Sequence, residues 1–121
     1  MGLEVSGEII AIGSKVNKYK KGDKVCALLA GGGYAEYVKV DAGSCLKIPR
    51  NWTLEEAASL PEVLCTVWMN IFQIASLKKE ENVLIYGGSG GIGSFGIQLI
   101  RAFGANPYTL AGSKEKLEFC K

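Results

Sequence analysis

Asn82-Val83-Leu84-Ile85-Tyr86 runs straight into Gly87-Gly88-Ser89-Gly90-Gly91-Ile92-Gly93, and this stretch decides the fold. Its first half is a short apolar run, of the kind found in a parallel sheet covered on both faces. Gly87 to Gly91 can form a tight turn. Beyond it Ile92, Phe95, Leu99 and Phe103 recur at three- and four-residue spacing, which predicts an amphipathic helix, and Gly104 follows as its C-cap. Residues 107–111 (Pro-Tyr-Thr-Leu-Ala) supply a second strand, and Ser113 is placed to cap a further helix. Strand, turn, helix and strand in this order make a β-α-β unit, hence an α/β fold with parallel pairing.

Gly88-Ser89-Gly90-Gly91-Ile92-Gly93 satisfies G-x-G-x-x-G, a pattern that gains meaning only between a strand and a helix, where it stands here. Gly88 is assigned the sharp turn, Gly90 the close approach of backbone to a pyrophosphate, and Gly93 the tight helix–strand packing. The first amides of the helix are unpaired and lie at the positive end of its dipole, so they suit an anion. The stretch from Gly88 to Gly93 therefore reads as a dinucleotide-binding turn; a plain strand-to-helix connection is the competing reading. A P-loop is excluded, because the turn lacks the Gly-Lys-Ser/Thr ending.

The second strand runs out through Leu110-Ala111-Gly112-Ser113-Lys114-Glu115-Lys116. A site for the unphosphorylated ribose places an acid at the strand tip, whereas lysines and a hydroxyl attract a 2′-phosphate. NADPH is favoured over NADH on this ground. Two features leave the alternative open: Ser113 can serve as a cap alone with both lysines solvated, and Glu115 is an acid near the tip, although it lies inside the helix start.

The first third reads as β structure. Residues 5–12, 24–29, 34–40 and 45–48 are short apolar or alternating runs separated by Gly13-Ser14, Lys20-Lys21-Gly22-Asp23 and Gly31-Gly32-Gly33, which suggests a small barrel or bent sheet. After Pro49 the period changes. Thr53-Leu54-Glu55-Glu56 fits a capping box opening a short helix through Ala58, and Pro61 can begin a second. Residues 63–75, with Trp68, Met69, Ile71 and Phe72, are apolar nearly all round, as in a helix buried between two layers.

Composition removes several classes of function. A net charge of +2, with Lys and Arg scattered, forms no basic stripe for nucleic acid. No apolar run approaches the roughly 20 residues that span a bilayer. The first residues lack the basic and apolar regions of a secretory signal, so the cytosol is the default compartment, and Cys26, Cys45, Cys65 and Cys120, with no C-x-x-C pair, read as free thiols. There are 0 histidines, which removes the commonest metal ligand and acid–base group together; no metal site is expected.

Gly2-Leu3-Glu4-Val5-Ser6-Gly7-Glu8, Lys21-Gly22-Asp23-Lys24-Val25, Gly33-Tyr34-Ala35-Glu36-Tyr37-Val38, Ala57-Ala58-Ser59-Leu60-Pro61 and the glycine turn occur in order along essentially the whole chain. Together they resemble the medium-chain dehydrogenase/reductase superfamily, specifically its zinc-independent, zeta-crystallin-like quinone oxidoreductases. Ala27-Leu28-Leu29 and Leu60-Pro61-Glu62 are similar to the stress-inducible NADPH quinone oxidoreductases within it. The resemblance implies a partial GroES-like barrel over residues 1–49, connecting helices over 50–81, and the first part of a Rossmann domain over 82–121. Zinc members carry Gly-His-Glu where Gly2-Leu3-Glu4 stands, so Leu3 implies reduction without zinc.

Carried over by position, Cys65-Thr66-Val67-Trp68 matches an element whose threonine lies beside the nicotinamide, with a helical Thr bonded to its own backbone as the alternative. Gly112, Ser113 and Lys116 fall where the 2′-phosphate is bound, and Gly90 replaces a serine of the inducible members. The implied activity is NADPH-dependent reduction of a quinone or α,β-unsaturated carbonyl by a longer, homo-oligomeric protein. Its catalytic acid–base residues would lie outside this stretch, which resembles an internal fragment. An enoyl-thioester reductase, and an inactive nucleotide-binding or crystallin-like module, are the alternatives. Two parallel strands alone leave apolar faces and edges uncovered, so marginal stability or association through them is expected.

Overall fold

A computed structural model describes residues 1–121. Met1–Glu62 and Val63–Lys121 each form a compact unit.

The first unit is built on a three-stranded antiparallel sheet, β1 (Glu4–Glu8), β2 (Lys24–Leu28) and β3 (Cys45–Lys47), with β2 in the centre. Val25, Cys26 and Ala27 of the central strand are all buried. Tyr19, Val25, Ala27 and Cys45 form the core, and Val5, Ile9, Val16 and Val40 pack against it. The Tyr19 hydroxyl enters this apolar site because it donates to the Cys45 carbonyl, which removes the cost of an unpaired buried hydroxyl. Helix α1 (Leu54–Ala58) packs on β1 and β2, and the Ser6 hydroxyl donates to its Leu54 carbonyl. The capping box forms as the sequence predicts: the Thr53 hydroxyl accepts the Glu56 amide at 3.2 Å, and the Glu56 carboxylate accepts the Thr53 amide at 2.8 Å.

Two β expectations are corrected in this unit. The first strand ends at Glu8 rather than continuing to residue 12, because its last register pair is Glu8 with Lys24. Beyond that pair β1 faces the turn preceding β2, and Ile10 and Ile12 are exposed. Residues 34–40 alternate like a strand yet join no ladder, and Tyr34 and Tyr37 are exposed. Alternation alone makes no strand; a partner must accept its backbone bonds.

The second unit contains α2 (Pro61–Val67), whose first two residues belong to the preceding unit, then β4 (Asn82–Tyr86), α3 (Gly91–Phe103), β5 (Asn106–Leu110) and α4 (Lys114–Phe119). Strands β4 and β5 pair in parallel, Tyr86 opposite Leu110, as a β-α-β unit requires. Gly104 ends α3 in the left-handed conformation at φ 92°, its amide bonded back into the last turn.

The apolar run at 63–75 is one helical stretch but not a buried one. Trp68–Ile74 widens into π-helix, with the Ala75 amide reaching the Asn70 carbonyl five residues back at 3.0 Å. Only Val67 in the run is buried, and Trp68, Met69 and Ile74 are 48%, 50% and 69% exposed. Phe72 stacks on Trp68 with centroids 4.8 Å apart and meets Phe103 edge-on at 5.0 Å, so an aromatic ladder holds the segment to the end of α3.

The buried ridge of α3 is also displaced from expectation. Gly93, Gly96, Ile97 and Ile100 face inward, while Ile92 is exposed and Phe95, Leu99 and Phe103 are half-buried. The contact is made at glycine notches: a Cβ on Gly96 would lie 3.3 Å from Ile85 Cδ1 and 3.7 Å from Val67 Cγ2. The opposite face of the sheet is uncovered, with Leu84, Tyr86, Tyr108 and Leu110 all more than half exposed. That differs from the fully covered strand expected for 82–86, and it bears out the uncovered apolar face expected of two parallel strands.

Candidate functional site

The glycine turn leaves the carboxyl end of β4 beside the carboxyl end of β5, the edge at which open α/β sheets bind ligands. Gly88 N donates to the Leu110 carbonyl at 3.4 Å, so the turn is tied to the neighbouring strand's exit. Gly90 N donates to the Gly87 carbonyl at 3.0 Å, closing the turn, and the Gly90 carbonyl accepts Ser94 N at 2.8 Å to open α3.

The glycines divide the work differently from the sequence assignment. The sharp bend belongs to Gly87, which alone in the turn has positive φ, 71°. Gly88 is needed for space, since a Cβ there would lie 2.8 Å from Thr109 Cγ2. Gly90 stays open: its Cβ would meet nothing closer than the Gly87 carbonyl oxygen at 3.4 Å. Gly93 packs onto the turn itself, where a Cβ would collide with the Gly87 carbonyl oxygen and stand 2.7 Å from Gly88 Cα. No side chain caps the helix at Gly90. The amides of Gly91 and Ile92 therefore lack both an intrahelical acceptor and a side-chain one, at the positive end of a 13-residue helix. Ser89, Gly90, Gly91 and Ile92 are at least partly exposed, so a ligand can reach them.

Gly112, Ser113 and Lys116 lie where β5 leaves this same edge. The Ser113 hydroxyl caps α4 by accepting Lys116 N at 3.3 Å, which still leaves its proton to donate. Gly112, Ser113, Lys114 and Lys116 are all exposed, and a Cβ on Gly112 would meet nothing within 4 Å.

Thr66 stands on the other side of the turn. With Asn70, Val83, Ile85, Ile92 and Gly96 it lines a mainly apolar cleft of about 250 Å³. The cleft joins Thr66 to the first turn of α3. The Asn70 carboxamide donates to the Thr66 carbonyl at 2.8 Å within it. Sequence reasoning does not single out this asparagine, since a polar residue in an apolar helix carries no signal until its neighbours are known.

No group of three or more Cys, Asp or Glu side chains comes together in a way that could hold a metal ion. No helix is long and apolar enough to cross a membrane. The four cysteines are unpaired, Cys26 and Cys45 buried, Cys65 exposed.

Residues 1–50 match the alcohol dehydrogenase GroES-like domain. The chain begins with a GroES-like domain and continues into the start of a Rossmann-type β-α-β unit. The chain is 38% identical over 120 residues to a highly reducing polyketide synthase of Emericella nidulans, covering 98% of the chain and 5% of the synthase. It is 40% identical over 113 residues to a mitochondrial NAD(P)H oxidoreductase of Danio rerio, covering 88% of the chain and 29% of that protein. Among solved structures, the CurK enoyl reductase superimposes with a TM-score of 0.86 at 30% identity, over 97% of this chain and 35% of that one. A quinone oxidoreductase of Thermus thermophilus, solved also with NADPH, superimposes with a TM-score of 0.77 at 30% identity, over 94% of this chain and 34% of that one. The chain thus spans about a third of the solved relatives' length and less of the curated ones.

Proposed function

We propose that this chain is the cofactor-binding segment of a zinc-independent oxidoreductase that reduces a quinone or an α,β-unsaturated carbonyl with NADPH. The observation that carries this reading is the set of uncapped amides at Gly91 and Ile92, set at the sheet's carboxyl edge beside the exposed Ser113 and Lys116. An uncapped helix start whose exposed Gly90 carries no Cβ fits a diphosphate, because the ligand can approach the backbone closely there. Ser89 and the amides of Gly91 and Ile92 would hold the diphosphate, Gly112, Ser113 and Lys116 the 2′-phosphate, and Thr66 the nicotinamide end. NADPH, when bound, supplies the hydride.

The chain's own residues bind and orient. Thr66 lies in a mainly apolar cleft shared with Ile85, Ile92 and Gly96, a lining that suits a flat ring. Lys116 supplies positive charge where a monophosphate would sit, and no acid of the chain forms an ion pair with it. Leu3, where zinc-using relatives of the resembled superfamily carry a histidine, offers no donor atom to a metal. The protein is read as cytosolic and homo-oligomeric, with a small-molecule substrate and neither nucleic acid nor membrane as partner.

A second reading within the same chemistry is favoured by the polyketide synthase and enoyl reductase relatives: the conjugated carbonyl is then an enoyl thioester. One assay separates the two. The full-length protein that contains this chain, given NADPH and either a small ortho-quinone or an enoyl thioester, should consume NADPH with one of them. Binding of NADPH with turnover of neither would leave only a nucleotide-binding module.

A further inference from the structure

Thr109 lies beneath the glycine turn. It is the penultimate residue of β5, opposite Ile85 of β4, and its hydroxyl donates to the Ile85 carbonyl at 2.8 Å. A Cβ on Gly88 would lie 2.8 Å from Thr109 Cγ2 and 2.9 Å from Thr109 Cβ, and would collide outright with Oγ1. Gly88 is buried and has no positive φ, so backbone conformation does not demand a glycine there. The demand is for volume, and Thr109 takes it. With Gly88 N on the Leu110 carbonyl and the Thr109 side chain underneath, the first residue after the bend is held from two directions.

We propose that Thr109 is a positioning residue for the dinucleotide turn. Its side chain fills the space that Gly88 vacates, and its hydroxyl ties that filling to β4. The two residues act as a size-matched pair that fixes where the amides from Ser89 to Ile92 point. Thr109 acts through the turn, without touching the cofactor. This rests on the reading of the turn as an NADPH site.

The full-length protein should be made as Thr109→Ala, Thr109→Ser, Gly88→Ala and the Gly88→Ala/Thr109→Ala double variant. NADPH affinity, KM and kcat, and thermal midpoint are then measured. Thr109→Ala should weaken NADPH binding and raise its KM about tenfold, as expected for contacting residues that share one rigid element, with kcat little changed. Thr109→Ser, which keeps the hydroxyl, should recover most of the loss. Gly88→Ala should weaken binding at least as much, and Thr109→Ala placed in the same chain should restore part of it by opening the space. A double variant no better than Gly88→Ala would overturn the pairing; so would Thr109→Ala that lowers the thermal midpoint yet leaves NADPH affinity unchanged. If Gly88→Ala does not fold, the alanine and serine variants of Thr109 decide the matter. A wild-type protein that binds no NADPH overturns the dinucleotide reading itself, an outcome distinct from intact binding that is indifferent to Thr109.

Discussion

The Ser113 hydroxyl accepts the amide of Lys116 at 3.3 Å, and this one bond fixes the first turn of α4 at the end of β5. It leaves the hydroxyl proton available and sets Lys116 in the helix's exposed opening turn. The only ion pair, Lys121 with Glu118, lies further along. Lys116→Glu replaces an attractive charge with a repulsive one at the expected 2′-phosphate. NADPH affinity should fall about tenfold, with NADH affinity unchanged or raised. Titration of both nucleotides checks this, and an unchanged ratio would remove the phosphate role from Lys116.

Gly93→Ala tests the turn by close packing. Alanine normally favours a helix over glycine by about 1 kcal/mol. Here the new methyl would stand 2.7 Å from Gly88 Cα and 2.9 Å from the Gly87 carbonyl carbon, both backbone atoms with little room to yield. Overpacking of this sort costs about 1–3 kcal/mol, so the clash outweighs the propensity gain. Chemical denaturation should show net destabilisation, and NADPH binding should weaken with it. Greater stability would mean that the turn relaxes without strain.

What was legible in the sequence is what the backbone decides within a few residues. The capping box of Thr53 and Glu56, the Ser113 cap, the Gly104 C-cap and the strand–turn–helix order each depend on groups three or four positions apart, and each stands where the pattern put it. Tyr34 to Val40 has the right alternation, but strand formation needs a ladder, and the sheet order gives it none. The large residues of α3 drew attention to the wrong ridge, because the helix approaches the sheet through the missing side chains of Gly93 and Gly96. The widening at Trp68–Ile74 has no local signature; it accompanies an aromatic ladder whose third member, Phe103, lies on another helix. At the site, the glycine motif was readable in the sequence, whereas Thr109 and Asn70 become visible only when β5 and the Trp68–Ile74 segment are brought beside β4 and α3.

Thr53→Ala removes one half of a reciprocal pair and strands the other. The Glu56 amide loses its acceptor, and the Glu56 carboxylate keeps only the Thr53 backbone amide. The loss should be about 1 kcal/mol, typical of an N-cap, because the site is exposed and water replaces part of the bond. Thr53→Ser should be nearly neutral. Thermal unfolding of the two variants checks the ordering, and equal losses would show that the methyl, rather than the hydroxyl, matters.

Cys26 and Cys45 are 1% and 4% exposed, and burial raises both thiols above the ordinary value of 9.0. For Cys26 the nearby Cys45 adds to the rise and its own backbone hydrogen bond opposes it. For Cys45, Asp41 adds to it and Lys18 opposes it. In the unfolded chain these thiols ionise from 9.0 upward, while in the folded chain they hold their protons to higher pH. Well below 9.0 both states keep these protons and the pair has no effect on pH dependence. Above it the unfolded state sheds protons first and gains stability, so the folded state weakens as pH rises. Denaturation midpoints should therefore fall on going above pH 9.0, and a Cys26→Ala/Cys45→Ala variant should show a shallower fall. The same burial orders chemical reactivity, because alkylation needs an accessible thiolate: exposed Cys65 should label first, and Cys26 and Cys45 should label only on unfolding. Labelling of all four at one rate in native protein would mean that the first unit's core opens readily.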